Sequence, residues 1–191
     1  NKPLKSEKGT IYEGGIREPL IIKWPDKIEP GSTSKALVSG IDFFPTFLEM
    51  ANTQQVTASI DGKSIVPELI NNNKKRERAL FWHYPVYHHD RPASAVRRED
   101  WKLIHFFEDD KLELYNLKDD IGETNNLVNK EPEIVTELFN LLEKWRIDVN
   151  AALPIKNESF NVSRRKEWSK HPSFDDMFNG SQSFKDIIPK N

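Results

Sequence analysis

The chain has no cysteine, which excludes a disulfide, a thiolate metal site and a cysteine nucleophile from these residues. No apolar stretch approaches the roughly 20 residues that span a bilayer, and no signal peptide opens the sequence at Asn1. A start of Asn1-Lys2-Pro3-Leu4, without methionine, is what a chain cut from something longer would show. Positive charge is not in excess either. With 28 Lys and Arg against 30 Asp and Glu and a net charge of -2, there is no basic stripe of the kind that binds nucleic acid. Glycine is scarce, eight in 191 residues, a length that can bury one good core or two small ones.

Three of those glycines fall in one stretch, Lys8-Gly9-Thr10-Ile11-Tyr12-Glu13-Gly14-Gly15-Ile16-Arg17-Glu18-Pro19. Glycines so close together suggest a backbone that turns sharply or approaches something closely. A lysine opens the loop, an arginine closes it, and Pro19-Leu20-Ile21-Ile22 follows as a short apolar run expected to be a buried strand ending at Trp24-Pro25. A loop beside a strand end is a common ligand site. Lys8 has two readings: a solvated surface lysine, or a point charge for the oxygens of sulfate or phosphate.

The run Lys8-Gly9-Thr10-x-Tyr12-Glu13-Gly14-Gly15-Ile16-Arg17-x-Pro19, with the following apolar run and Trp24-Pro25, resembles the second signature region of type I sulfatases. These are formylglycine-dependent sulfate ester hydrolases of the alkaline-phosphatase-like superfamily. The resemblance implies that Lys8 contacts the sulfate group and helps stabilise charge on the leaving oxygen. It implies an ion-pairing role for Arg17, with Glu13 or Glu18 as partner. It also implies calcium and a formylglycine nucleophile made from a Cys/Ser-x-Pro/Ala-x-Arg motif. Neither that motif nor the accompanying aspartate-rich site occurs in this chain, and the remaining metal ligands would lie shortly before Asn1. The chain alone is therefore expected to be inactive, with the N-terminal catalytic part of the same sulfatase as its partner. A sulfated carbohydrate or an aryl sulfate would be the substrate, and the location periplasmic or secreted.

Further along, Ile41-Asp42-x-x-Pro45-Thr46-x-Leu48-x-x-Ala51 and Asp61-Gly62-Lys63-Ser64 extend the resemblance. The first predicts a helix capped by Asp42, with Phe44, Phe47, Leu48 and Ala51 on its apolar face. The polar run Asn71 to Arg78 reads as an exposed connection. Strands are expected at Ala79–Trp82, Ala93–Arg97, Trp101–Phe107 and Leu112–Leu117, the last two joined as a hairpin through Glu108-Asp109-Asp110-Lys111. An amphipathic helix over Glu133–Val149 carries Ile134, Leu138, Leu141, Leu142 and Trp145 on one face. Asp119, Asp120 and Glu123 read as a solvated turn, since their spacing is not that of a calcium loop.

Sulfatases of this type end in such a four-stranded antiparallel sheet with one long helix, and Asp100-Trp101-Lys102-Leu103-Ile104 and Glu113-Leu114-Tyr115-Asn116-Leu117 resemble its signature. The expected fold class is therefore α/β: the C-terminal part of an alkaline-phosphatase-like sulfatase fold, with a small α+β subdomain. The expected division is 1–73 in the large α/β domain, 74–150 in the small subdomain and 151–191 as an irregular tail packing on the body. The loop Trp82-His83-Tyr84-Pro85-Val86-Tyr87-His88-His89-Asp90-Arg91-Pro92 is too proline-interrupted to present metal ligands at helical spacing. Its imidazoles and aromatics suit sugar recognition, with His83, His88 and Arg91 as candidate substrate contacts. Two other readings stay open: a phosphodiesterase or phosphoglycerol transferase of the same superfamily, with a threonine or serine nucleophile, and a non-catalytic binding module.

Overall fold

The computed structural model describes residues 2–53, 59–71, 76–159 and 161, and the tail expected beyond 161 lies outside them. Two compact units emerge: residues 1–18 together with 81–191, and residues 19–80. The glycine-rich stretch at the start folds with the later strands.

Four strands, β1 (Ala79–Tyr84), β2 (Ala93–Arg98), β3 (Trp101–Phe106) and β4 (Lys111–Asn116), form one sheet in the order β1-β2-β3-β4. β2 and β3 pair antiparallel with Ala95 opposite Ile104, and β3 and β4 pair antiparallel with Lys102 opposite Tyr115. The hairpin turn is where the sequence placed it, with Asp110 at φ 54° completing the reversal. Alternation assigns the faces. Ala93, Ala95, Ile104, Phe106, Tyr115 and Leu117 cluster with Ile11 and Tyr12 of the N-terminal stretch. On the opposite face His105 meets α4 (Pro132–Asp148), accepting from Arg146 at 2.9 Å and lying edge-on to Phe139. Leu138 and Leu142 of α4 are fully buried, and Trp145 stacks on Phe81 at 4.8 Å. With both faces covered, β2 and β3 are buried along most of their length.

Residues 19–80 carry a 3-10 turn (Gly40–Asp42), α2 (Phe43–Met50) and α3 (Val66–Ile70). Asp42 is fully buried, but its carboxylate does not cap α2 as the sequence suggested. It accepts instead from Ser39 N at 2.8 Å and Lys63 N at 3.0 Å, and pairs with Arg78 Nη1 at 2.6 Å. Arg76 likewise reaches Glu68 at 3.1 Å, so two arginines of the expected exposed connection are structural. The close approach of Lys63 requires Gly62, where a Cβ would overlap the Ile41 carbonyl. Two other expectations fail here. Pro19–Ile22 forms no strand and Ile21 is 94 % exposed, since a strand needs a neighbour to satisfy its backbone. The apolar side chains Phe44 and Phe47 of α2 are 53 % and 62 % exposed, and the side chain α2 buries is Thr46.

Burial alone would raise the Asp42 carboxyl, but Arg78 and the two backbone N–H groups hold it below the usual carboxylate range. A carboxyl lowered in the folded state stabilises above about pH 4 and loses that contribution as pH falls further. Asp42→Ala, which strands Arg78, is expected to cost about 3–5 kcal/mol in denaturant unfolding at pH 7. The gap to wild type should narrow below about pH 4; a gap that stays constant with pH is the contrary result.

Candidate functional site

The glycine-rich stretch is shaped by close approaches of its own backbone. Gly14 N–H donates to the Lys5 carbonyl at 2.9 Å, and a Cβ on Gly14 or Gly15 would overlap carbonyls of residues 5–10. α1 (Glu13–Ile16) is a single helical turn that drives Glu13 into the sheet. There the Glu13 carboxylate meets Lys102 Nζ at 3.1 Å, Arg97 Nη1 at 3.1 Å and Arg17 Nη1 at 3.4 Å. Lys102, mid-strand in β3 and 0 % exposed, also pairs with Glu123 at 2.8 Å. The other Glu123 oxygen accepts from Glu13 N–H at 2.7 Å. Burial pushes the Glu123 carboxyl up, against the lowering pull of Lys102 and the Glu13 N–H. Glu123 is thus buried rather than part of a solvated turn, whereas Asp119 is exposed in the turn and Asp120 accepts from the Thr124 and Asn125 N–H groups at 2.8 Å. Arg17 takes the ion-pairing role expected of it.

A second cluster fastens the residues just before. Lys5 Nζ lies 4.0 Å above the Tyr12 ring and donates to Tyr115 Oη at 3.1 Å. Tyr12 and Tyr115 both donate to Glu113 Oε2, at 2.9 and 2.7 Å. Burial first, and then the Glu113 charge, raise both phenols well above their ordinary value, so they remain hydrogen-bond donors. Between the two clusters, Lys8 is left exposed at the apex of the loop.

The structure brings that apex onto the histidine loop. Gly9 has φ 92°, and a Cβ placed there would lie 2.7 Å from His89 Cγ and 2.8 Å from His88 Nδ1. The two imidazoles stack at 4.3 Å, and Tyr84 braces His88 edge-on at 5.8 Å. Lys8 and His88, predicted separately from sequence, are therefore neighbours. His83 is not with them: its Nε2–H donates to the Ala152 carbonyl at 2.7 Å while Nδ1 accepts from Ser94 Oγ at 2.6 Å. Arg91 is also tied down, with Nη1 3.0 Å from both Asp109 oxygens and the guanidinium 3.9 Å over the Phe106 ring. His89 was missed in sequence, and its position beside His88 was the one signal available. Among the described residues no group of three or more His, Cys, Asp or Glu is disposed to hold a metal.

Residues 6–148 match the sequence profile of the family described as N-sulphoglucosamine sulphohydrolase, C-terminal. The chain belongs to the sulfatases. A sulfatase of Formosa agariphila is 38 % identical over 169 residues, covering 79 % of this chain and 31 % of that protein. An N-acetylglucosamine-6-O-sulfatase of Bacteroides thetaiotaomicron is 39 % identical over 147 residues, covering 72 % and 26 %. Human arylsulfatase A is 30 % identical over 167 residues, covering 75 % and 32 %. The chain thus spans about a third or less of the length of these curated relatives. Among solved structures, a protein in complex with its substrate D-glucosamine-2-N,6-O-disulfate superposes with a TM-score of 0.60 at 36 % identity, over 72 % of this chain and 30 % of that one. The sheet and helix are thus a sulfatase C-terminal fold, and the stretch that carries Lys8 packs on that sheet through Ile11 and Tyr12.

Three substitutions test this arrangement. Lys102→Ala leaves Glu13 and Glu123 facing each other in the interior and is expected to cost about 3–5 kcal/mol. Lys144→Ala, in an exposed pair with Asp148, should cost under about 1 kcal/mol by the same denaturation measurement. Equal effects would show that the buried cluster has no special weight. Gly9→Ala should destabilise by about 1–3 kcal/mol through its positive φ and the imidazole overlap, and should shift the His88 and His89 ring resonances in NMR spectra. Unshifted resonances would place the loop elsewhere.

Proposed function

We propose that this chain is the C-terminal portion of a sulfatase hydrolysing sulfate esters of a carbohydrate, and that Lys8 supplies a positive charge to the sulfate group. The observation carrying this reading is the seating of the Lys8–Gly9 turn on the His88–His89 stack, which brings the exposed residue Lys8 next to a pair of imidazoles. An ammonium acts on sulfate oxygens as a point charge, favouring the state in which negative charge has moved onto them. His88 would contact sugar hydroxyls. His83 and Arg91, engaged with their own neighbours, would shape the surrounding wall. A sulfated amino sugar is the substrate class we favour, supported by the names of the N-acetylglucosamine-6-O-sulfatase relative and of the glucosamine disulfate complex.

The residues described here fit neither of the groups a sulfatase of this type is expected to use. No Cys/Ser-x-Pro/Ala-x-Arg motif is present to yield formylglycine and the described residues offer no ligand cluster for calcium, so the role proposed for this chain is binding. Nucleophile and metal would be supplied by an N-terminal catalytic part, and residues 19–73 would complete its large α/β domain. The exposed side chains Leu20, Ile21, Phe44 and Phe47 support that, being apolar surface in want of cover. A periplasmic or secreted location is consistent with the relatives' bacterial sources; no described helix is long and apolar enough to cross a membrane.

In the complete enzyme Lys8→Ala should lower kcat/KM for an aryl sulfate by about 10²–10³-fold with the melting temperature retained. The isolated chain should show no turnover. Wild-type kcat/KM in the variant would remove Lys8 from the site.

A further inference from the structure

Lys8 is exposed and its ammonium rides on a four-carbon stem, so nothing along the side chain itself fixes where the charge points. Its aim depends on the backbone from which it rises. That backbone is a left-handed turn at Gly9, φ 92°, pressed against two rings. The His89 ring is 2.7 Å at Cγ and 3.0 Å at Cδ2 from where a Gly9 Cβ would stand. It is also hydrogen-bonded to the Lys8 backbone in the sense that favours a proton on the ring, so the ring donates to the Lys8 carbonyl. His88, whose Nδ1 is 2.8 Å from the same point, stacks with it at 4.3 Å with 19° between the planes.

We propose that His89 is a positioning residue for Lys8: its ring, stacked on His88 and bonded to the Lys8 carbonyl, holds the Lys8–Gly9 turn so that the ammonium is presented at one place. This rests on the reading of Lys8 as the sulfate contact. Burial first, then the neighbouring His88 and Lys8, lower the His89 ring below its ordinary value, with Glu7 pulling the other way. The neutral ring keeps one N–H for the carbonyl and adds no charge of its own beside Lys8. A proton gained in acid would set a charge directly against the Lys8 ammonium. Displacement of a binding group by about 1 Å can cost about 10²-fold in rate, so a residue that only fixes a turn can matter to turnover.

The test is a double-mutant cycle in the complete enzyme with an aryl sulfate. His89→Phe keeps an aromatic face against Gly9 and His88 but cannot donate, and should lower kcat/KM by about 10- to 10²-fold. His89→Gln, whose amide can donate, should recover most of that loss. In the Lys8→Ala background, His89→Phe should have little further effect, because the group it positions is gone. Melting temperatures identify any variant that fails to fold, and the Gln variant then carries the comparison. Equal fold-losses from His89→Phe in both backgrounds, or no loss with Lys8 present, would overturn the positioning role while leaving the Lys8 assignment intact. If Lys8→Ala by itself leaves kcat/KM unchanged, the Lys8 assignment falls, and this inference with it.

Discussion

An ammonium in the middle of a β-strand governs this molecule. Lys102 has no access to water, and a buried cation left alone would cost several kcal/mol. Its face of the sheet can close only if carboxylates arrive with the cover, and two do: Glu13 from the glycine-rich stretch and Glu123 from the turn after β4. Glu123 then bonds the backbone of Glu13, so the two carboxylates are fixed to each other as well as to the lysine. Arg97, beside Lys102 in the register of β2 and β3, balances the second negative charge. The cluster contributes specificity of register more than raw stability, since apolar residues of similar volume could fill the space.

From that anchor the site follows outward. With Glu13 pinned, Ile11 and Tyr12 enter the apolar cluster on the sheet, and Lys5 is clasped by Tyr12, Tyr115 and Glu113. The residues between, 6–10, must turn back in a short span. They do so with Ser6 and Gly9 in the left-handed region and with backbones too close for side chains at Gly14 and Gly15. The loop then meets the His88–His89 stack at Gly9. A structural charge cluster and the proposed sulfate contact thus share one short segment: Glu13 faces inward to hold it, and Lys8 is exposed.

Residues 19–80 obey a different economy. Their polar centre is well satisfied, with Asp42 gathering Ser39, Lys63 and Arg78. Several of their apolar side chains, Leu20, Ile21, Phe44 and Phe47 among them, are exposed, while Ile65 and Val66 are buried. Helix α2 buries Thr46, whose hydroxyl donates to the Asp42 carbonyl and accepts from Ile65 N–H, while Phe44 and Phe47 face away. The apolar pattern of α2 was readable, yet among the described residues Phe44 and Phe47 find no cover.

Strands, hairpin and the long helix were legible from sequence because each is written in a local period: alternation in β2 to β4, and three-to-four spacing along Ile134, Leu138, Leu141, Leu142 and Trp145. The motif around Lys8 was legible as a resemblance. What tertiary structure alone decided was partnership. Nothing local distinguishes Glu123 from its solvated neighbour Asp120, or Arg78 from an exposed arginine, because the groups that bury them, Lys102 and Asp42, lie many residues away. Pro19–Ile22 reads as a strand in composition yet lacks a neighbour to pair with. His89 carries the same side chain as His88, and only the approach of Gly9 from the far end of the chain gives it work to do. Periodicity is a property of neighbours in sequence, whereas a buried charge or a ring against a glycine depends on which distant segment the fold delivers.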